Sequence, residues 1–215
     1  MPLPQLVIFD WDGTLVDSIE PILLGFERAY ARSGHPCPSP EALRATIGLP
    51  LAAAFEALTP GLPSATMVTF YRDYWFDPQR PPSPWADGAP ELLDWLESEG
   101  VTLAVATGKS RRGVDHELEA LGVGHRFAIT RSADDAAAKP HPEMVLQILD
   151  ELNTQPEHAC VVGDSPLDLA MARSANVPAY GVLGGVGSLE SLQPHAPRAV
   201  VQRLSELRSW LIDHQ

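Results

Sequence analysis

Short apolar runs alternate along the chain with longer segments of helical periodicity. The apolar runs predict β-strands at residues 6–10, 102–107, 159–163 and 179–183, with weaker candidates at 127–130 and 199–201. Helices are predicted between them: one that Asp87 caps and Gly100 ends, one from Ser110 to Gly122, and one over residues 142–152. Strands that alternate with helices are typical of a parallel sheet covered by helices, so we expect an α/β fold.

One stretch interrupts this alternation, because residues 17–84 show helical patterns and no convincing strand. Four helices are predicted there: from Ile19 to Gly34, after Pro40, over residues 51–58 and over residues 65–76. A proline-rich connector at residues 80–84 follows them. We therefore expect a small all-helical domain, residues 17–84, inserted after the first strand of a core domain made of residues 1–16 and 85–215.

The chain has 215 residues, of which 28 are acidic and 15 basic, so its formal net charge is −13. A surface this acidic repels a phosphate backbone and disfavours nucleic-acid binding, whereas a bound cation would still allow an anionic small substrate. No apolar run approaches the roughly 20 residues of a membrane span, and the first residues lack the basic segment of a signal peptide. Cys37 and Cys160 form no disulfide framework. We expect a cytoplasmic protein without a membrane partner.

The end of the first predicted strand carries the strongest candidate for chemistry, Asp10-Trp11-Asp12-Gly13-Thr14. Open α/β sheets bind ligands at the carboxyl ends of their strands, and residues two apart in an extended chain face the same side. Asp10 and Asp12 can therefore share one cleft, where Mg²⁺ with oxygen ligands would offset their repulsion. The alternative interpretation is a turn that an aspartate caps.

Two further strand ends carry weaker signals. Thr107 and Gly108 end the second strand, where a hydroxyl and free N–H groups at a helix start either bind an anion or cap the helix. We expect the neighbouring Lys109 to be a solvated surface charge. Lys139, which follows a loop and precedes a proline, has the same interpretation when it is taken by itself.

The strand at residues 159–163 leads directly into Asp164, and Asp168 follows four residues later. This spacing places both carboxylates near one face at a helix start. Catalysis is one interpretation. The other is that Asp164 caps the helix while Asp168 complements the helix dipole.

Taken together, four strand ends carry Asp-x-Asp-Gly-Thr, Thr-Gly, Lys-Pro and Gly-Asp-x-x-x-Asp in chain order. This set resembles the haloacid dehalogenase superfamily along essentially the whole chain. The segment at residues 9–18 is similar to the first motif of its phosphatase branch. The helical insertion resembles the small cap of the phosphoglycolate phosphatase and β-phosphoglucomutase-like subfamily. The resemblance implies a Rossmann-like three-layer core with a parallel sheet, under a helical cap domain.

The resemblance also implies phosphoryl transfer through an aspartyl phosphate, with Mg²⁺ as the cofactor. Asp10 would be the nucleophile, and Asp12 the general acid and base. The side chains of Asp10 and Asp164 and the main-chain carbonyl of Asp12 would hold the metal ion. An aspartate at position 12 excludes a dehalogenase, because an attack on carbon needs no acid for the leaving group.

The same resemblance assigns supporting roles to four other residues. Thr107, Gly108 and Lys139 would bind the transferred phosphoryl group, whose reaction depends mostly on positioning. Asp168 would orient Lys139 or a metal-bound water.

Within the predicted cap, the segment at residues 44–50 separates two helices and is a candidate for substrate specificity through Arg44 and Gly48. The alternative is a solvated arginine beside an ordinary turn. The resulting hypothesis is a Mg²⁺-dependent phosphatase of a small phosphorylated metabolite, similar to phosphoglycolate phosphatase. A phosphomutase of the β-phosphoglucomutase type and, less favoured, a non-catalytic binding module are the alternatives. The chain is compatible with a monomer or a weak homodimer.

Overall fold

The computed structural model describes residues 3–213, so the predicted core-domain ends at residues 1 and 215 lie outside the described part. Six strands form one parallel sheet: β1 Leu6–Phe9, β2 Thr102–Ala106, β3 Ile129–Arg131, β4 Ala159–Gly163, β5 Ala179–Val182 and β6 Ala199–Val201. Their order in the sheet is β3-β2-β1-β4-β5-β6. The α/β prediction is confirmed, and so are both weaker strand candidates, although β3 begins two residues later than predicted.

The helices lie around and above the sheet: α1 Ile19–Ser33, α2 Pro40–Arg44, α3 Leu51–Leu58, α4 Ser64–Trp75, α5 Ala89–Ser98, α6 Arg111–Leu121, α7 Glu143–Glu151, α8 Pro166–Ser174, α9 Leu189–Leu192 and α10 Leu204–Asp213. The four helices predicted between residues 17 and 84 are confirmed as α1 to α4. Among residues 3–213, no helix is long and apolar enough to cross a membrane.

Both faces of the sheet are buried by helices, and successive residues of a strand point to opposite faces. Val7 and Phe9 of β1 pack with α5, α6 and α10, whereas Leu6 and Ile8 pack with α7, α8 and α9. All four side chains are fully buried, as expected for a central strand of a parallel sheet. Helices on both sides of the sheet make the core a three-layer structure.

The prediction that Asp87 caps α5 is wrong. The N-cap is Gly88 with φ +79°, and a Cβ there would lie 2.6 Å from the backbone nitrogen of Ser205. A residue with a side chain does not fit this position, so glycine takes the cap. Asp87 instead lies 3.6 Å from Arg203.

Helices α1 to α4 have a hydrophobic core of their own, in which five of the 13 buried residues are aromatic. Phe26 of α1 contacts Phe55 of α3 and Tyr71 of α4, with ring centroids 4.9 and 5.3 Å apart. Gly25 permits this approach, because a Cβ there would lie 2.6 Å from the Tyr71 ring. These helices form the cap, and their domain limits at residues 17 and 84 remain a prediction.

Two short connectors join the cap to the core, and they pair with each other. Val16 forms an antiparallel bridge with Trp85. The Asp17 N–H donates to the carbonyl of Pro84 at 2.8 Å, and the Ala86 N–H donates to the carbonyl of Leu15 at 2.9 Å. This pairing holds the cap above the carboxyl end of β1.

Candidate active site

Strand β1 delivers Asp10 to the carboxyl edge of the sheet, where its N–H donates to the carbonyl of Val162 at 2.9 Å. The chain then turns at Gly13, whose φ is +77° and whose absent Cβ would lie 2.7 Å from a carboxylate oxygen of Asp164. This close turn brings the Thr14 hydroxyl to within 2.9 Å of Asp164 Oδ1, to which it donates. Glycine is required here because the turn passes directly against the second carboxylate.

Three buried carboxylates meet below this turn. Among the described residues, Asp10, Asp164 and Asp168 offer oxygen atoms that all lie within 4.8 Å of one another. Lys139, whose ammonium is fully buried, lies 2.7 Å from Asp10 Oδ1 and 2.6 Å from Asp168 Oδ1. The contact with Asp10 lacks hydrogen-bond geometry, so Oδ1 of Asp10 has an ionic partner but no hydrogen-bond donor. Three carboxylates thus face one ammonium.

This excess of negative charge appears in the pKa values. Burial, reinforced by the charge of Asp168, raises the pKa of Asp10 well above its ordinary value despite the opposing effect of Lys139. Burial and Asp168 also raise the pKa of Asp164 to about 7. Burial alone would lower the pKa of Lys139, but Asp10 and Asp168 outweigh it and raise that pKa. The negative charge of the carboxylates therefore exceeds the positive charge of Lys139 in this pocket.

The donor set fits Mg²⁺. Hard divalent cations prefer carboxylate and carbonyl oxygens, and a cation here would compensate the charge that Lys139 leaves unbalanced. Each Asp164 oxygen accepts one hydrogen bond, from the Thr14 hydroxyl and from the Val186 N–H at 2.8 Å, which leaves lone pairs for a metal. Asp168 is less suited, because its Oδ1 faces Lys139 and its Oδ2 accepts from the Ser165 N–H and hydroxyl.

The contacts of Asp168 decide whether Asp164 caps α8, which was the alternative interpretation of this segment. The N-cap of α8 is Ser165 and not Asp164, and Asp168 completes a capping box with it. The Asp168 carboxylate therefore closes the helix end with one oxygen and holds Lys139 with the other. Asp164 is left to face the site.

The prediction for Lys109 is wrong. Its side chain is only 9% exposed, and its ammonium lies 2.9 Å from Asp12 Oδ1. The same nitrogen lies 4.0 Å from the centre of the Trp75 ring of the cap. Asp12 Oδ1 also accepts from the Ser18 hydroxyl at 2.6 Å. The carboxylate of Asp12 is therefore held apart from the three-carboxylate cluster, between the core and the first cap helix.

A cavity of about 220 Å³ lies between the core and the cap. Asp10, Asp12 and Asp164 line its core side together with Thr107 and Gly108. Lys139 is behind the carboxylates and is not part of the wall. Thr107 Oγ1 accepts from the Lys109 N–H at 3.2 Å, so its hydroxyl proton is available to a ligand.

The cap contributes a mostly apolar wall to the cavity, which includes Leu49, Val68 and Phe76. Gly48 lies in this wall, and a Cβ added to Gly108 would be 2.3 Å from its carbonyl oxygen, so core and cap approach closely there. Of the two interpretations of Arg44, the structure supports the arginine that lies outside the cleft. Arg44 pairs with Glu20, its side chain is 40% exposed, and it does not line the cavity.

Arg72 is the charged side chain that the cap does contribute to the wall. It is exposed, and no hydrogen bond or ion pair joins its guanidinium to any of the described residues. Sequence reasoning did not select it, because an arginine on a cap helix has no distinguishing pattern.

Other groups of the site were missed as well, and one of them carries a readable signal. Of the 15 basic residues only two, Lys109 and Lys139, are lysines, and both contact aspartates of the site. In a chain that otherwise uses arginine for positive charge, this scarcity could have selected Lys109. Ser18 and Val186 had no such signal, because their contacts depend on chain segments distant in sequence.

The fold and the site together define an α/β protein with an inserted helical cap and a carboxylate-rich cleft. The model of the haloacid dehalogenase-like hydrolases matches residues 7–182, and the chain belongs to this family. The recognition made from the sequence motifs is confirmed.

Among known proteins, the chain is 37% identical to the protein named Probable phosphatase IndB from Dickeya dadantii, over 95% of this chain and 92% of that one. It is 27% identical to phosphoglycolate phosphatase from Pseudomonas putida, over 95% of this chain and 79% of that one. The crystal structure of a predicted phosphatase from Clostridium acetobutylicum superposes with a TM-score of 0.86 and 26% identity, covering 98% of this chain and 99% of that one.

Proposed function

We propose that this protein is a Mg²⁺-dependent phosphatase that hydrolyses a small phosphate monoester through an aspartyl phosphate on Asp10. The observation that carries the proposal is the buried cluster of Asp10, Asp164 and Asp168 around a single ammonium, at the floor of the cavity between the core and the cap. Relatives named phosphatases support it. A binding module would gain nothing from three mutually repelling carboxylates.

Asp10 carries the nucleophilic oxygen. Its Oδ1 is buried against Lys139, so Oδ2 is the oxygen left for attack on phosphorus. A bond forms between this oxygen and phosphorus as the bond from phosphorus to the leaving oxygen breaks. Lys139 keeps the attacking carboxylate oriented and partly neutralised.

Asp12 moves the protons. Its Oδ1 is taken by Ser18 and Lys109, whereas Oδ2 has no hydrogen bond to the described residues. In the first step a protonated Oδ2 gives its proton to the leaving alkoxide. In the second it accepts a proton from the water that attacks phosphorus and releases Asp10. Such general acid–base help contributes about 10²–10⁴ in rate.

Thr107 and Gly108 bind the phosphoryl oxygens with the free hydroxyl proton and the N–H groups that precede α6. The side chains of Asp10 and Asp164 and the carbonyl of Asp12 would hold Mg²⁺, which when bound neutralises the phosphoryl oxygens facing these carboxylates. The apolar cap wall excludes water from the leaving group.

The size of the cavity supports a small metabolite as the substrate. The cytoplasmic location and the monomeric or weakly dimeric state stay predictions.

The test is hydrolysis of p-nitrophenyl phosphate, phosphoglycolate and ethyl phosphate with Mg²⁺ and with EDTA. We expect turnover that EDTA abolishes and Mg²⁺ restores. Asp10→Asn should lose turnover and fail to take up a phosphoryl group detectable by mass spectrometry. Asp17→Asn is the matched control, since Asp17 is an exposed carboxylate of the same segment without a contact to the site. Persistent turnover in Asp10→Asn, or no turnover of any ester by the parent, would contradict the proposal.

A further inference from the structure

Lys109 occupies an unusual place for a lysine. Its side chain is only 9% exposed although it lines the cavity, and an ammonium with so little access to water is costly unless its charge is compensated. The compensation comes from two directions. Asp12 of the core accepts a hydrogen bond at 2.9 Å, and the Trp75 ring of the cap lies at 4.0 Å. Lys109 therefore connects Asp12, the acid of the proposed reaction, with the cap.

The two donors on Asp12 both bind the same oxygen. Ser18 and Lys109 donate to Oδ1, and Oδ2 is left at the cavity wall. Two donors on one oxygen fix the rotation of the carboxyl group and select the other oxygen for proton transfer. Lys109 thus sets the orientation of Asp12 from the wall of the cavity.

Trp75 is in turn fastened to the core. The Arg80 guanidinium lies 4.1 Å from the centre of the Trp75 ring, and its Nε donates to the Trp75 carbonyl at 3.0 Å. Arg80 is paired at 2.6 Å with Glu117, which is fully buried on α6. The ring therefore takes its place over Lys109 only while α4 is docked on the core.

We propose that Lys109 is a positioning residue that couples docking of the cap to the orientation of Asp12. With Trp75 in place, the ring covers one side of the ammonium, whose hydrogen-bond partner among the described residues is Asp12. With Trp75 withdrawn, water solvates the ammonium and the carboxyl group is free to rotate. The acid is then ready only when the cap encloses the substrate. This inference rests on the proposed function, since it concerns the acid of that reaction.

The test compares esters that differ in their need for an acid. The p-nitrophenolate anion leaves without a proton, whereas the alkoxide of ethyl phosphate or phosphoglycolate requires one. Lys109→Met should lower kcat for the alkyl ester about 10- to 100-fold, a part of what an acid contributes, and kcat for p-nitrophenyl phosphate by at most about threefold. KM should change little for either ester.

Trp75→Leu should produce the same selective loss, and the double variant should lose no more than Lys109→Met alone, because both act through one contact. Arg112→Met is the matched control. Its guanidinium lies 4.0 Å from the Phe76 ring of the cap but does not contact Asp12, so its removal should leave the ratio of the two rates unchanged. Circular dichroism of each variant checks that the loss does not come from unfolding.

Equal losses on both esters, or a rise in KM alone, would overturn the proposal and make Lys109 a structural or substrate-binding group. A second readout is independent of turnover and separates this inference from failure of the proposed function. Asp12→Asn should shift the indole N–H resonance of Trp75, assigned from Trp75→Leu, and should not shift it in the Lys109→Met background. No shift in either background, or the same shift in both, would refute the coupling even in a protein without phosphatase activity.

Discussion

Replacement of Asp164 by asparagine should stabilise the metal-free protein at pH 8 and abolish its stabilisation by Mg²⁺. The variant removes one of three carboxylates that share a single ammonium. Asparagine has nearly the same shape, its Oδ1 can still accept from the Val186 N–H, and its amide can donate to Thr14 Oγ1. The change therefore removes charge and keeps the packing.

The magnitude follows from the pKa of Asp164, which burial and Asp168 raise from 3.8 to about 7. A carboxyl group with a raised pKa favours the fold while it is protonated. That contribution is complete below about pH 4 and is lost as the pH rises to about 7. At pH 8 the ionised group costs on the order of 4 kcal/mol. Because Asp10 and Asp164 share the unfavourable negative charge of this cluster, only part of the cost is relieved by the substitution, and we expect a gain of about 2 kcal/mol. Such a gain raises Tm by about 4–8 °C for a chain of this length.

Thermal unfolding in EDTA at pH 8 and at pH 4.5 measures the effect, with Asp17→Asn as the control for loss of an exposed carboxylate. The gain should shrink markedly between pH 8 and pH 4.5. In the parent, Mg²⁺ at about 100 times its dissociation constant should add about 2.7 kcal/mol, and the variant should show almost none of this. A variant that melts below the parent at pH 8, gains equally at both pH values or keeps the Mg²⁺ response would contradict this prediction.

Three further changes test other parts of the structure. Gly108→Ala should lower kcat/KM about 10- to 100-fold, because its Cβ would lie 2.3 Å from the carbonyl oxygen of Gly48 and displace the cap; parent-like kinetics would contradict this close approach. Arg80→Met should lower the free energy of unfolding in urea by about 3–5 kcal/mol, because it leaves Glu117 buried without its partner. Adding Glu117→Gln should recover part of that loss, and an undiminished loss in the double variant would speak against the pair. Arg72→Met should raise KM for phosphoglycolate about tenfold and leave KM for ethyl phosphate unchanged, since only phosphoglycolate carries a carboxylate for this guanidinium. Equal KM values of parent and variant for phosphoglycolate would exclude a contact between Arg72 and the carboxylate.

Much of the fold was predictable because its signals are local. Apolar runs mark the strands of a sheet covered on both faces, and the helical periodicity from Ile19 to Tyr30 marks the first cap helix. Glycines at positions 34 and 122 end helices in the left-handed conformation that they adopt easily. The N-cap residue of α5 was mispredicted because glycine is needed at position 88 by the close approach of Ser205, which is more than 100 residues away in sequence.

The same distinction applies to the site. The aspartates that follow β1 and β4 could be identified from the residue order alone, since strand ends and motif spacing are properties of the chain read in order. The three-dimensional structure was needed to show that Lys109 is a partner of Asp12, that Arg44 pairs with Glu20 outside the cleft, and that Arg72 lines it. This is because the environment of a charged side chain is made by segments distant in sequence. Burial, partners and pKa therefore arise only when the cap is docked on the core.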